Sequence, residues 1–166
     1  NGRHHDTDLL GNLPPGRPML TRCDDRRYWR WDGVRFDVLH PSPWLPYLGN
    51  DSSCVLSIGR GDNRLLLSGD ISATVERRLV SEGLPEHEIL LVPHHGSKTS
   101  SSPEFLAAVS PRIAMVTASL GNRFGFPRHE VVHRYRRSGA DMMNTADHGA
   151  ISVSFERGKS SAIFFG

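Results

Sequence analysis

No run of apolar residues in the sequence approaches the ~20 needed to cross a bilayer, and its opening lacks the charged-then-apolar pattern of a signal peptide. No transmembrane helix is expected within these residues. There are only two cysteines, Cys23 and Cys54, with no CxxC spacing and no histidine at zinc-finger distance, which argues against a structural zinc ribbon. The even count permits one disulfide without requiring it. Neither charge sign dominates: 20 basic residues against 18 acidic ones give a net charge of +2, compatible with a polyanionic partner but not demanding one. Internal repeats and low-complexity segments are also absent. At 166 residues the chain has the length of one domain, or part of one.

Histidine, by contrast, is plentiful, with nine in the chain. His4, His5, His94, His95 and His129 stand among glycines, prolines and polar residues, although any one of them taken singly is as readily a surface histidine as a ligand. The apolar run Ile89-Leu90-Leu91-Val92 stops at Pro93 and is followed by His94-His95-Gly96-Ser97-Lys98-Thr99 and a tract of serines. That is a buried strand ending in a polar loop, where α/β folds keep their chemistry. Upstream, Leu65-Leu66-Leu67-Ser68-Gly69-Asp70 repeats the design, an apolar strand with a carboxylate at its C-terminal end. Two strand ends carrying Asp and His point to a metal centre assembled from several strands. Near the start, His4, Asp6 and Asp8 alternate, so extended backbone points them the same way; a solvated tail is the plain alternative.

The remaining pattern places these loops. Residues 28–39 alternate in polarity about Asp32-Gly33 and predict a β-hairpin with a two-residue turn; Trp29 and Trp31 are expected to serve core and cross-strand packing. Residues 53–58 and 64–68 predict a second β-pair. A helix is expected over 72–82, with Val75, Leu79 and Val80 on one stripe and Gly83 as its stop. Ser102-Pro103-Glu104 supplies an N-cap, a first-turn proline and a first-turn acid for a helix to Val109. Then come a strand at 113–117, a helix over 129–137 with Val132 and Tyr135 inward and Gly139 at its end, and two strands at 150–155 and 161–165. Strands and helices alternate through the middle with hairpins at both ends, so the fold class is α/β with a mixed sheet.

Taken together, Leu-Leu-Ser-Gly-Asp70, Leu-Val-Pro-His94-His95-Gly96-Ser97-Lys98-Thr99-Ser100 and Asn122-Arg-Phe-Gly-Phe-Pro127 resemble the metallo-β-lactamase-fold domain at the C-terminus of ComEC, the inner-membrane DNA channel of natural competence. The hairpin sequence and Asn50-Asp51-Ser52-Ser53-Cys54 are similar to proteobacterial members. The resemblance implies an αββα sandwich with mixed sheets. In the family, strands precede the first metal motif; none is present here, so 1–166 is expected to be a partial domain of a larger membrane protein.

The resemblance also implies a site. The family's first motif, His-x-Asp-x-Asp-His followed by x-Gly-Gly, aligns with His4-His5-Asp6-Thr7-Asp8-Leu9-Leu10-Gly11-Asn12, with Leu9 in the place of a histidine and Asn12 in that of a glycine. His4, Asp6, Asp8, Asp70 and His94 are the implied metal ligands, and Asp8, Asp70 and His95 the implied catalytic set. His94 is preferred as the imidazole ligand because it comes first off the strand, with His95 the second choice or a substrate contact. One or two divalent ions, zinc or manganese, would lower the pKa of a bound water. Asn50 matches the position of a further histidine. Asn50, Ser97, Lys98, Thr99, Ser100, Asn122 and Arg123 are implied substrate contacts through hydroxyls, backbone N–H groups and positive charge; a loop that merely caps the next helix is the alternative for 97–100. Phe126 and Arg128 stand where many relatives carry histidines, leaving His129 as a displaced proton donor. The implied function is a metal-dependent DNA phosphodiesterase that degrades the strand not taken up, and the alternative is a degenerate domain that binds DNA or supports the channel. The expected location is the outer, periplasmic side of the inner membrane, where oxidising conditions imply a Cys23–Cys54 disulfide.

Overall fold

The computed structural model describes Cys23, residues 28–155 with their side chains, and the backbone of 156 and 159–165. The expectations on His4, Asp6, Asp8, Leu9 and Asn12 lie outside the described residues. Strands β1 (Tyr28–Trp31) and β2 (Val34–His40) turn on Asp32 and Gly33, with φ of 49° and 77°, the pair of left-handed residues that a two-residue hairpin turn needs. The next pair, β3 (Val55–Arg60) and β4 (Asn63–Leu67), closes on Gly61-Asp62, a tighter turn than the 59–63 loop expected from sequence. Cys54, just ahead of β3, is bonded to Cys23 with a Cα–Cα distance of 5.8 Å.

Three crossovers follow. Helix α1 (Ala73–Ser81) leads to β5 (Ile89–Leu91), α2 (Pro103–Val109) to β6 (Ile113–Val116), and α3 (His129–Ser138) to β7 (Asp141–Asn144). A short α4 (Thr145–His148) then precedes β8 (Ala150–Glu156) and β9 (Lys159–Phe165), which pair antiparallel in a sheet of their own. Strands β1 to β7 form one seven-stranded sheet in sequence order, antiparallel from β1 to β4 and parallel from β4 to β7. Successive parallel strands laid down in one direction with right-handed crossovers put every connecting helix on the same face. The core has that composition: Leu66, Leu90 and Ala114 from the strands meet Val75 and Leu79 of α1, Phe105 and Val109 of α2, and Val131 and Tyr135 of α3.

Several expectations are corrected. Strand β7 has only Asp-Met-Met-Asn to announce it, without a β-branched residue, and it exists because β6 offers a parallel edge. Val131, four residues before Tyr135, faces the core rather than Val132. Trp29 does make a cross-strand contact, stacking on Phe36 at 4.9 Å. Trp31, by contrast, is 74% exposed and belongs to no core, because β1 is the sheet's outer strand. Among the described residues one sheet face carries the helices. On the other face Leu56, Ile58, Leu65, Leu67, Leu91 and Met115 are partly exposed.

Candidate metal centre

The sheet's C-terminal edge gathers the predicted loops. Asp70 follows β4, His94 and His95 follow β5, and Thr117 follows β6, all at the edge where open α/β sheets bind ligands. His94 and His95 sit in a tight turn with φ/ψ of 49°/41° and 54°/20°, and Gly96 continues it at φ 81°. Consecutive left-handed non-glycine residues cost energy and persist only where their surroundings enforce them. Here the turn is pinned by hydrogen bonds: His94 N–H donates to the Gly69 carbonyl (3.0 Å), Ser97 N–H to that of His94 (2.9 Å), and Arg128 N–H to that of Gly96 (2.9 Å). Gly96 has no room for a side chain, since a Cβ there would stand 2.6 Å from Pro127 Cβ.

The two histidines have different surroundings. His95 Nδ1–H donates to the Thr117 carbonyl at 2.7 Å, with Thr117 Oγ1 at 3.1 Å, and this fixes the tautomer that leaves Nε2 with its lone pair. Nε2 lies 3.5 Å from Asp70 Oδ1. Donors held at about 2.0–2.1 Å from one tetrahedral ion stand about 3.3–3.4 Å apart, so the observed separation suits a shared metal. His94 Nε2 instead accepts from Asn50 Nδ2 at 3.3 Å, and its ring meets the Phe126 ring edge-on at 5.9 Å. Among the described residues no three His, Cys, Asp or Glu side chains are grouped so as to hold a metal; Asp70 and His95 fit as part of a ligand set.

The other predicted contacts divide. Lys98 and Thr99 are exposed on the loop after the histidines, and Arg123 lines a cleft of about 380 Å³ with His95, Thr117, Phe124 and Phe126. Ser100 is buried, and its hydroxyl donates to the Pro93 and Ser97 carbonyls. Ser97 is buried as well, its Oγ 3.1 Å from Thr99 Oγ1. Asn122 spends its amide on the loop, donating to the Ser119 and Phe126 carbonyls and accepting from Phe126 N–H. These three residues shape the site from beneath instead of presenting free polar groups. Arg128 lies over the Phe126 ring at 5.7 Å, and His129 opens α3.

Sequence reasoning missed the support. Glu76, wholly buried in α1, accepts from the backbone N–H groups of Ser101 and Ser102 (2.8 Å for the latter). Arg134 donates to the Ser100 and Ser101 carbonyls at 2.9 and 3.0 Å. Burial pushes the Glu76 carboxyl up, against the pull of these N–H groups and of Arg134. Asp51 was named only as the neighbour of Asn50; it accepts from Ser72 N–H (2.7 Å) and Oγ (2.9 Å) and ties the loop before β3 to the start of α1. Ser53 Oγ receives the Asp70 N–H at 3.1 Å. A charged residue on the buried stripe of α1 was the one legible signal for Glu76.

The family model of the metallo-β-lactamase superfamily matches residues 3–119. The chain belongs to the metallo-β-lactamase superfamily. Its mixed α/β architecture, with a multi-strand mixed sheet and few helices, is that of the fold. Competence protein ComA of Neisseria gonorrhoeae is 35% identical over 93% of the chain and 25% of that protein. Recombination protein 2 of Haemophilus influenzae is 35% identical over 84% of the chain and 18% of its length, and ComE operon protein 3 of Bacillus subtilis 30% identical over 74% and 16%. These relatives are of the ComEC family, and the chain spans a quarter or less of their length. A metallo-β-lactamase superfamily structure from Thermotoga maritima aligns at a TM-score of 0.47 and 12% identity, covering 71% of this chain and 68% of that one. No helix among the described residues is long and apolar enough to cross a membrane.

Proposed function

We propose that this metallo-β-lactamase domain is a metal-dependent phosphodiesterase acting on DNA, one part of a larger competence protein of the inner membrane, placed on its periplasmic side and degrading the strand that is not taken up. The observation that carries the reading is the Asp70–His95 pair, with the imidazole oriented from behind by the Thr117 carbonyl. Asp70 and His95 would hold the ion, zinc or manganese, with His4, Asp6 and Asp8 as the proposed remainder of the set. Once bound, the ion supplies a water acidified enough to attack at neutral pH. Asp70 would supply a carboxylate donor, and the Thr117 carbonyl keeps His95 in the tautomer that offers Nε2. Lys98 and Arg123 supply positive charge to phosphate oxygens, and Phe124 and Phe126 offer apolar faces along the same cleft.

A second reading, a degenerate domain that binds DNA or supports the channel without cutting, draws on Phe126, which sets an apolar ring that cannot donate a proton edge-on against His94. Two measurements decide. Isothermal titration of the intact chain with manganese or zinc should show binding that Asp70→Ala and His95→Ala each reduce by tenfold or more. The metal-loaded chain should cleave single- or double-stranded DNA, and Asp70→Ala should remove the activity. Metal binding without cleavage establishes the second reading, and equal cleavage by Asp70→Ala sinks the first.

A further inference from the structure

At the opposite end of the sheet, the residue pairing writes a line of positive charge. Arg30 faces Arg35, Arg35 faces Gly59, and Gly59 faces Arg64 across β1, β2, β3 and β4. Directly opposed residues project from the same face, so three arginines and a glycine make one cross-strand row. With strands about 4.8 Å apart, the row spans about 14 Å. Gly59 lets the Arg64 stem pack across the row, with Arg64 Cγ 3.0 Å from where a Gly59 Cβ would stand, and Arg60 adds a fourth guanidinium, lying over the β1–β2 turn with its Cζ 3.7 Å from where a Gly33 Cβ would stand. The resulting cavity of about 480 Å³ has Ser57 and Pro85 in its lining.

The charge there is largely uncompensated. Asp37 is the one acid lining the cavity among the described residues, and Arg35 holds it in a bidentate pair at 2.6–2.9 Å. Arg30, Arg60 and Arg64 have no ion pair or side-chain hydrogen bond among the described residues. Asp32 and Asp62 stand in the turns at the ends of the hairpins, exposed to solvent. Tyr28 shares the face of Arg30 two residues away; its ring is 67% exposed and lies 4.8 Å from the Arg35 guanidinium. Arg64 is the second residue of β4 whereas Asp70 follows its far end, six residues or up to ~20 Å of extended chain away. The row is therefore separate from the metal centre.

We propose that Arg30, Arg35, Arg60 and Arg64 form a second anion-binding track, which takes the phosphodiester backbone of single-stranded nucleic acid with Tyr28 as a base-stacking contact. A linear array suits a polymer carrying a charge every ~3.4 Å of axis per strand better than a compact anion. An exposed aromatic ring set beside arginines is how sequence-independent single-strand sites hold bases. The track rests on the proposed function for the identity of the polymer and not for its chemistry, because binding here needs no metal.

The test is fluorescence anisotropy of a fluorescein-labelled oligothymidylate, titrated with the intact chain in EDTA over a series of salt concentrations. The triple variant Arg30→Ala/Arg60→Ala/Arg64→Ala should bind at least tenfold more weakly at low salt, with the slope of log K against log salt reduced by about 2, at ~0.7 for each phosphate no longer neutralised. The corresponding triple lysine variant should keep the slope, which separates lost charge from lost fold. Tyr28→Ala should weaken oligothymidylate binding several-fold and leave inorganic polyphosphate binding unchanged. Binding at the track needs no metal, so a parent chain that binds oligothymidylate in EDTA but fails to cleave DNA when metal-loaded counts against the proposed function alone. Unchanged affinity and slope in the triple alanine variant overturn the track. So does binding abolished by Lys98→Ala/Arg123→Ala alone, which would put the polymer at the metal end. An unaffected Tyr28→Ala, or arginine-dependent capture of phosphatidylglycerol vesicles without oligothymidylate binding, overturns the assignment to single-stranded nucleic acid.

Discussion

His87 sits fully buried between α1 and β5, and acidification should therefore destabilise the domain before its carboxylates titrate. Its Nδ1–H donates to the Pro85 carbonyl and its Nε2 accepts from the Ser57 hydroxyl, both at 2.7 Å, which is a neutral ring. Burial is the main cause that lowers its pKa to about 4 from 6.5; the Pro85 hydrogen bond opposes the shift and the Arg64 charge adds to it. Between these two values the unfolded chain binds a proton that the folded chain refuses, so stability falls as the pH drops through the window. A gap of about 2.5 units at 1.36 kcal/mol per unit amounts to about 3 kcal/mol, of which about 2 kcal/mol is lost between about pH 7 and 4.5. Urea unfolding of the parent and of His87→Gln across that range measures it. The variant should be less stable near pH 7, and the gap between the two curves should narrow by about 2 kcal/mol on acidification. Parallel curves would refute the assignment of a buried neutral imidazole.

Three further outcomes are expected. Gly96→Ala must hold φ near 81° and push its Cβ against Pro127, at a cost of at least about 2 kcal/mol; Gly83→Ala, with φ 84° and open space around it, should cost about half as much, and thermal melts of the two variants compare them directly. Glu76→Gln replaces one of two acceptors facing the Ser101 and Ser102 N–H groups with a donor and should cost about 1–3 kcal/mol in denaturant unfolding, with hydrogen exchange rising at 101 and 102. Reducing the Cys23–Cys54 bond, which closes a separation of 31 residues, should lower unfolding free energy by about 3–4 kcal/mol, read from urea curves with and without reductant.

Local chemistry was legible wherever it was self-contained. Asp32-Gly33, Ser102-Pro103-Glu104 and Gly139 each state a turn, a helix start or a helix stop within a few residues, and each stands where it was expected. The strand-end motif around Asp70 and the histidines was legible for the same reason. What sequence could not show is which imidazole nitrogen points where. The order along the chain favours His94, but two left-handed residues in succession turn the backbone so that His95 reaches Asp70 and Thr117. Strand β7 was hidden because its stability comes from β6 and α3, not from Asp141–Asn144 themselves. Ser100 and Asn122 looked like substrate contacts because hydroxyls and amides read alike in sequence whether they face solvent or their own loop.

The sequential order of the seven-stranded sheet bears on how the chain acquires its structure. Every strand from β2 to β7 pairs with the one made just before it, so the sheet can grow in the direction of synthesis without waiting for a strand made later. Asp70, His95 and Thr117 are brought into place by that same progression, one strand end after another. The turn that holds His95 is closed last, when the segment after β6 brings Pro127 and Arg128 against Gly96.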